Sequence, residues 1–125
     1  MTKSIGATAW AIAEGYITGA STGTTPALIS HETVCILNAG ARDTEVRITV
    51  FFADREPVGP FRFAVKARRT RHIKFNDLAD PETIPRDTDF ASIVEADAPI
   101  VVQHTPLDSR QPALALMSTI AFPAS

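Results

Sequence analysis

The densest run of side chains able to form directed hydrogen bonds lies between residues 99 and 111, which read PIVVQHTPLDSRQ. Its apolar start predicts a strand, and a strand that only fills a core usually ends in Gly, Asn or Asp. This one ends in amide, imidazole, carboxylate, hydroxyl and guanidinium groups: Gln103, His104, Asp108, Ser109, Arg110 and Gln111. Burying such a group unpaired costs about 1–3 kcal/mol. The sequence therefore predicts a structural network, a partner surface or a ligand site here.

Residues typical of metal or catalytic centres are widely dispersed. The three histidines, His31, His72 and His104, lie far apart, and the one cysteine, Cys35, lies in an apolar run typical of a buried, inert thiol. Neither a Gly-x-Ser-x-Gly nucleophile elbow nor a Gly-rich phosphate loop is present in the sequence. We therefore expect no catalytic residue, no metal and no cofactor, and we do not expect an enzyme.

Polar residues elsewhere in the sequence extend the candidate binding site. They are predicted to lie at strand ends or in loops, where the binding sites of β-sandwiches form, with an indole ring as a stacking platform. Such a set suits a small polar, sugar-like ligand. The alternative is a hydrogen-bond network that holds loops or a subunit interface. The candidate ligand-binding residues are Trp10, His31, Glu32, Arg69, Asp89, Gln103, His104, Asp108 and Arg110.

A second cluster, at residues 66–74, is basic. Its candidate contacts to a partner or to nucleic acid are Lys66, Arg68, Arg71 and Lys74. Such a patch would bind phosphates with a salt-sensitive affinity, but few aromatic residues for base stacking surround it. The acidic stretch 77–97 that follows would repel a long polyanion, so DNA is the weaker alternative. The basic and acidic stretches can instead pair within the monomer, between subunits or with a partner.

The elements that position these groups show a period of two. Apolar and polar residues alternate over 45–52, 61–66 and 72–75, which is typical of strands with one buried face. Further strands are predicted at about 7–14, 33–38, 90–95, 100–105 and 116–122, with turns at Asp97-Ala98-Pro99 and at Pro106. These eight or so strands predict an all-β, antiparallel β-sandwich or jelly roll.

The composition indicates one soluble domain spanning residues 1–125. The chain is 45% hydrophobic and 21% charged, and its net charge of −2 predicts no strong overall attraction to nucleic acid or membrane. The uncharged tail from Gln111 is too short to cross a bilayer, so we expect a cytoplasmic protein. Alternate residues from Ala7 to Ala13 form an all-alanine strand face, which predicts either a close subunit contact or a thin part of the core.

Segments along nearly the whole chain resemble the sensory rhodopsin transducer family. The loop 17–27 and the stretch 112–116 depart from the family pattern. The matching segments are WAIAEGY at 10–16, ISHETVCILNAG at 29–40, EPVGP at 56–60, ARRT at 67–70, FNDL at 75–78, DTDFAS at 87–92, PIVVQHT at 99–105, LDSRQ at 107–111 and STIA at 118–121.

This resemblance implies a cytoplasmic β-sandwich that forms a homotetramer and carries the signal of a membrane photoreceptor, a sensory rhodopsin. The family also includes relatives that look like stand-alone domains, proposed to bind sugars or similar small molecules. We therefore expect a non-enzymatic signalling module that binds a small polar metabolite, the cytoplasmic face of a sensory rhodopsin, or both. A DNA-interacting regulatory protein that uses the basic residues 66–74 is the alternative.

Overall fold

Antiparallel strands make up almost all of the regular structure in the computed structural model, which describes residues 4–21, 29–110 and 115–124. The predicted all-β class is confirmed. A 3-10 turn, Phe75–Asp77, follows the fifth strand. The strands are β1 (Ala7–Ile12), β2 (His31–Asn38), β3 (Thr44–Phe52), β4 (Val58–Val65), β5 (Arg69–Lys74), β6 (Phe90–Asp108), β7 (Ala115–Leu116), β8 (Thr119–Ile120) and β9 (Phe122–Pro123).

Strand β6 runs for 19 residues through both places where the sequence predicts a turn. The predicted turns at 97–99 and at Pro106 are wrong. The residues 97–99 instead form an irregularity, because Ala9 pairs with Glu95 whereas Ala7 pairs with Ile100. Proline lacks an N–H and is tolerated at such bulges. The hydroxyl Oγ1 of Thr44 accepts the backbone N–H groups of residues 97 and 98, each at 3.1 Å. Turn-forming residues therefore bend one strand here, and we call residues 97–99 the corner.

The corner divides β6 between the two layers of the fold. Before it, β6 pairs with β1 and β3, and the first layer has the order β4-β3-β6-β1-β9. After it, β6 pairs with β2, which also pairs with β5, and with the short strands β7 and β8. A strand that changes sheets at a bulge is a known way to make the corner of a sandwich. Every second residue of β6 from Phe90 to His104 is buried, so one strand supplies core residues to both layers.

Both ends of β6 return to the same end of the molecule. Tyr16 forms a bridge with Asp89, just before β6, and its backbone N–H donates to Oε1 of Glu32. Glu32 pairs with Pro106 near the other end of β6. We call this the network end. The opposite end, where the corner lies, is the corner end.

Strand β1 turns its large side chains into the core. Trp10 is 5% exposed, and its indole N–H lies 3.0 Å from the carbonyl oxygens of both Ala7 and Ile100, which ties β1 to β6 beside the corner. Gly6 has a φ of +104°, and a Cβ there would lie 2.0 Å from the carbonyl oxygen of Ile100, so the close approach requires glycine. Ala11 is exposed on the other face. Ala7, by contrast, is partly buried against the core, so the alanine face is exposed only in part.

Candidate functional site

A buried carboxylate–imidazole pair lies at the centre of the network end. Nε2 of His104 lies 2.7 Å from Oε2 of Glu32, and the two side chains are 4% and 2% exposed. Glu32 is opposite Pro106 on β6 and His104 is opposite Val34 on β2, so the two side chains are diagonal neighbours on one inward face. A buried polar pair must be satisfied internally, because each group is removed from water.

The second carboxylate oxygen of Glu32 extends the pair into a network. Oε1 accepts the backbone N–H of Tyr16 at 2.7 Å, which holds the segment after β1 against β2. Oδ1 of Asn76 accepts the backbone N–H of Glu32 at 3.2 Å, and Nδ2 of Asn76 donates to the carbonyl oxygen of Ser30 at 3.0 Å. The network therefore joins the segment after β1, the start of β2 and the 3-10 turn.

Two buried serines continue the network at the end of β6. The backbone N–H of Ser109 donates to Oγ of Ser30 at 2.8 Å, and the two hydroxyls lie 3.0 Å apart. Oγ of Ser30 also donates to the carbonyl oxygen of Ala20 at 3.2 Å, while its backbone N–H donates to Oγ of Ser21 at 2.8 Å. Residues 30 and 109 lie far apart in sequence, so the hydrogen bonds between these two serines fix distant segments of the chain to each other.

Exposed polar groups surround this network, and we call Tyr16, Asp87, Asp108 and Arg110 the polar rim. Nη2 of Arg110 lies 2.6 Å from Oδ2 of Asp108, and its Nε lies 3.1 Å from Oδ1. These hydrogen bonds lower the pKa of the Asp108 carboxyl and raise the pKa of the Arg110 guanidinium, to which the Coulombic attraction of Tyr16 and Asp87 also contributes. Oδ1 of Asp87 accepts the backbone N–H of Gly19 at 3.0 Å and lies 3.4 Å from the Tyr16 hydroxyl.

The structure brings six of the nine predicted ligand-binding residues to the network end. Asp89 lies beside Tyr16, and Nδ1 of His31 lies 2.7 Å from the carbonyl oxygen of Ile29. Both members of the buried pair engage each other rather than facing solvent. The six are His31, Glu32, Asp89, His104, Asp108 and Arg110.

The other three predicted residues lie elsewhere. Trp10 is part of the core and therefore does not present its ring as a stacking surface. Gln103 is exposed on the outer face of β6, opposite Cys35 of β2. Arg69 lies on β5, opposite Asn38 and towards the corner end, and its Nη1 donates to the carbonyl oxygen of Arg68.

The predicted ligand-binding set omits several residues that the structure places in the site, among them Tyr16 and Ser30. Tyr16 is the only tyrosine in the sequence, and Ser30 directly precedes the predicted site residues His31 and Glu32. Neither falls in an alternating apolar pattern. The nearest signal is Gly15, since a Cβ there would lie 2.4 Å from the ring of Phe90 and the tight fit marks a packed junction.

The basic residues 66–74 lie in different surroundings. Arg71 lies over the Phe63 ring, 5.2 Å from its centroid, and its Nη1 donates to the carbonyl oxygen of Ala64 at 2.8 Å, so it closes the gap between β4 and β5. Lys66 and Arg68 lie in the exposed turn between these strands, and Lys74 is half-buried on β5.

Ion pairs in the described part of the chain do not join the basic residues 66–74 to the acidic stretch. Asp97 instead pairs with Arg47, and Glu82 pairs with Arg55. The predicted pairing of the two charged stretches within the monomer is therefore not found among these residues.

Across 4–21, 29–110 and 115–124, no group of three or more His, Cys, Asp or Glu side chains is arranged to hold a metal ion. Within the described residues, no helix has the length and apolar character needed to span a bilayer.

Comparison with known families decides what the chain is related to. Residues 5–123 match the model of the Anabaena sensory rhodopsin transducer family. The chain belongs to this family. The predicted resemblance is thereby confirmed, and membership supports a transducer role and a signalling rather than an enzymatic protein.

Two solved structures resemble the transducer chain over most of its length. The Anabaena sensory rhodopsin transducer is 62% identical, with a TM-score of 0.76 over 83% of this chain and 100% of that one. The Thermotoga maritima 1070 protein is 29% identical, with a TM-score of 0.84 over 95% of this chain and 96% of that one. The comparison with curated proteins gives no match.

Proposed function

We propose that the protein is a non-enzymatic, homotetrameric, cytoplasmic transducer that docks on the cytoplasmic face of a sensory rhodopsin through its polar rim. The observation that carries the proposal is the 62% identity to a protein known as a sensory rhodopsin transducer, over the whole of that chain. The buried network supplies the rigid support, since it ties the segments carrying the rim to β2 and β6.

The polar rim has the composition of a docking surface. Tyr16 is 37% exposed and the Arg110 side chain 53% exposed, and tyrosine and arginine are the residue types enriched at interface hot spots. Carboxylates of Asp87 and Asp108 lie beside them, so the rim offers both charge signs for orienting a receptor.

Binding to Anabaena sensory rhodopsin in nanodiscs tests the docking proposal. Tyr16→Ala keeps the backbone N–H that Glu32 accepts, so the network persists while the exposed ring is lost. We expect at least about tenfold weaker binding for Tyr16→Ala and for Arg110→Glu. Lys66→Glu, at the corner end, is the control and should bind as the wild type does. Unchanged affinity in both rim variants would overturn the proposed surface.

Exposed apolar residues support the homotetramer. Phe122 and Ile93 both pair with Ala11, and Thr49 pairs with Ile93, which makes one row across β9, β1, β6 and β3. Phe122 is 75% exposed and Ile93 36% exposed. Contiguous exposed apolar surface of this kind marks interaction sites. Native mass spectrometry should show a tetramer that Phe122→Ser dissociates. A wild-type monomer, or a tetramer unaffected by the substitution, would contradict the proposal.

Binding of a small polar, sugar-like ligand is a second proposal. We restrict it to the polar rim, because the side chains of Glu32 and His104 already bind each other. Crystals soaked with a mixed metabolite library test it. DNA binding through residues 66–74 is the weaker alternative, because Arg71 is held by Phe63 and by Ala64. A steep fall of duplex affinity with salt would favour DNA, and no binding would remove it.

A further inference from the structure

A cavity of about 410 Å³ lies at the corner end, away from the polar rim. Its volume falls within the range of small-molecule sites. Two of its walls are the turns between β2 and β3 and between β4 and β5, and a third is the corner with the residues that precede β1. Its lining includes the described residues Ser4, Ile5, Arg42, Arg68, Ala98 and Pro99.

Side chains beneath the cavity hold these turns together. Asn38 is fully buried, and its Nδ2 donates to the carbonyl oxygens of Arg42 and Val65 at 2.8 and 3.1 Å, while its Oδ1 accepts the backbone N–H of Gly40. Oδ1 of Asp43 accepts the backbone N–H of Ala67 at 2.9 Å. The two turns are therefore pinned to each other, and Arg42 and Arg68 line one preformed cavity.

The charges in this cavity are unbalanced. None of its nine described lining residues carries a carboxylate. The two guanidinium groups have no hydrogen-bond or ion-pair partner among the residues that the structure describes, whereas Arg47, Arg55, Arg62 and Arg110 each have a carboxylate partner. Two neighbouring carboxylates are engaged elsewhere, since Asp43 accepts the backbone N–H of Ala67 and Asp97 pairs with Arg47.

Arg68 also has an unusual backbone conformation. Its φ is +56°, in the left-handed region that favours glycine. Such residues persist where the surrounding structure holds them, and they concentrate at ligand clamps and active sites. The strain is thus located at one of the two unpaired arginines, independently of the cavity and its charge.

From this geometry we propose that the cavity is an anion site for a small organic phosphate monoester. A guanidinium group matches phosphate oxygens by parallel N–H donation, the cavity is lined by two arginines, and the hydroxyl of Ser4 adds a donor. Ile5, Ala98 and Pro99 provide an apolar wall for the organic group. The proposal is distinct from rhodopsin docking, since it involves neither the polar rim nor its network.

Calorimetric titration of the full chain with phenyl phosphate tests the site. Benzoate, with the same ring and one negative charge, and inorganic phosphate, with no ring, are the matched ligands. We expect phenyl phosphate to bind at least about tenfold more tightly than either. Equal binding of benzoate would overturn the assignment to phosphate. Equal binding of inorganic phosphate would overturn the assignment to an organic ligand, and no binding would overturn the site.

Three variants locate the binding. Arg42→Gln and Arg68→Gly should each weaken phenyl phosphate binding at least about tenfold. Glycine is compatible with the backbone at position 68, so Arg68→Gly should remain folded. Lys66→Gln removes one charge from the same turn without touching the cavity and should bind as the wild type does. Equal weakening in all three would indicate general electrostatic attraction and overturn the proposal. Displacement by a short DNA duplex at equal phosphate concentration would assign the arginines to nucleic acid instead.

Discussion

The network end and the corner end both contain buried, hydrogen-bonded polar groups, but they differ in their ionisable side chains. At the network end, Glu32 and His104 are buried and engage each other, and the neighbouring serines engage the backbone. At the corner end, Arg42 and Arg68 are exposed and unpaired within the described residues. Polar groups that are buried and satisfied support the fold, whereas charges left unpaired around a cavity are available to a ligand.

The largest loss of stability should follow from breaking the buried pair of Glu32 and His104. Glu32→Ala leaves the His104 imidazole without its partner and removes the acceptor for the backbone N–H of Tyr16. Losing one member of a buried pair costs about 3–5 kcal/mol. Urea unfolding should show this loss, whereas Gln103→Ala, exposed beside His104, should change stability by less than about 0.5 kcal/mol. A loss below about 1 kcal/mol for Glu32→Ala would make the two ends alike and return His104 to the ligand candidates.

A smaller loss should follow from removing one hydroxyl of the same network. Ser30→Ala deprives the backbone N–H of Ser109 of its acceptor and deprives the Ala20 carbonyl of a donor. Leaving buried groups unsatisfied in this way costs about 1–3 kcal/mol. The exposed Ser118→Ala is the control for chemical denaturation. If both serine variants unfold at the same urea concentration, the serines are not structural and the network is smaller than described.

At the corner end, a substitution should raise the stability of the protein instead of lowering it. Arg68→Gly relieves a left-handed conformation that costs about 1–2 kcal/mol, which the greater freedom of glycine in the unfolded chain partly offsets. We therefore expect a net stabilisation of less than about 1 kcal/mol, seen as a small rise in melting temperature. A clear destabilisation would show that the guanidinium supports the fold, which would remove the contrast between the two ends.

The smallest change in stability is expected at the polar rim, where the ion pair of Asp108 and Arg110 is lost as the pH falls. Hydrogen bonding to Arg110 lowers the pKa of Asp108 from its ordinary value of 3.8. The folded-state pKa is thus below the unfolded one, so the pair contributes stability above pH 3.8 that is lost as pH falls through the folded pKa. Wild type should exceed Asp108→Asn slightly at neutral pH and match it in acid, since an exposed pair is screened by solvent. An equal gap at both pH values would exclude this ionic contribution.

The alternating pattern of the sequence predicted most of the strands. The polar residues of the sequence predicted the network end only in part. Periodicity works for β3, where Val46, Ile48 and Val50 are fully buried as their spacing requires. It fails at the corner, because Pro99 signals an interruption of pairing but not whether the chain turns back or bends onward. For the site, the polar residues 103–110 predicted roles for both His104 and Arg110. The structure buries His104 and leaves Arg110 exposed, and this difference depends on strand pairing that the local sequence does not encode.

The sequence by itself determined the all-β class, the inward faces of β3, β4 and β5 and the family, because these follow from residue alternation and from matching segments. Only the tertiary structure decided which polar groups are satisfied. His104 finds its partner 72 residues away, and Ser109 finds Ser30 at 79 residues' separation. Pairing of this kind depends on register and on the bend at residues 97–99, which bring distant segments within hydrogen-bond distance.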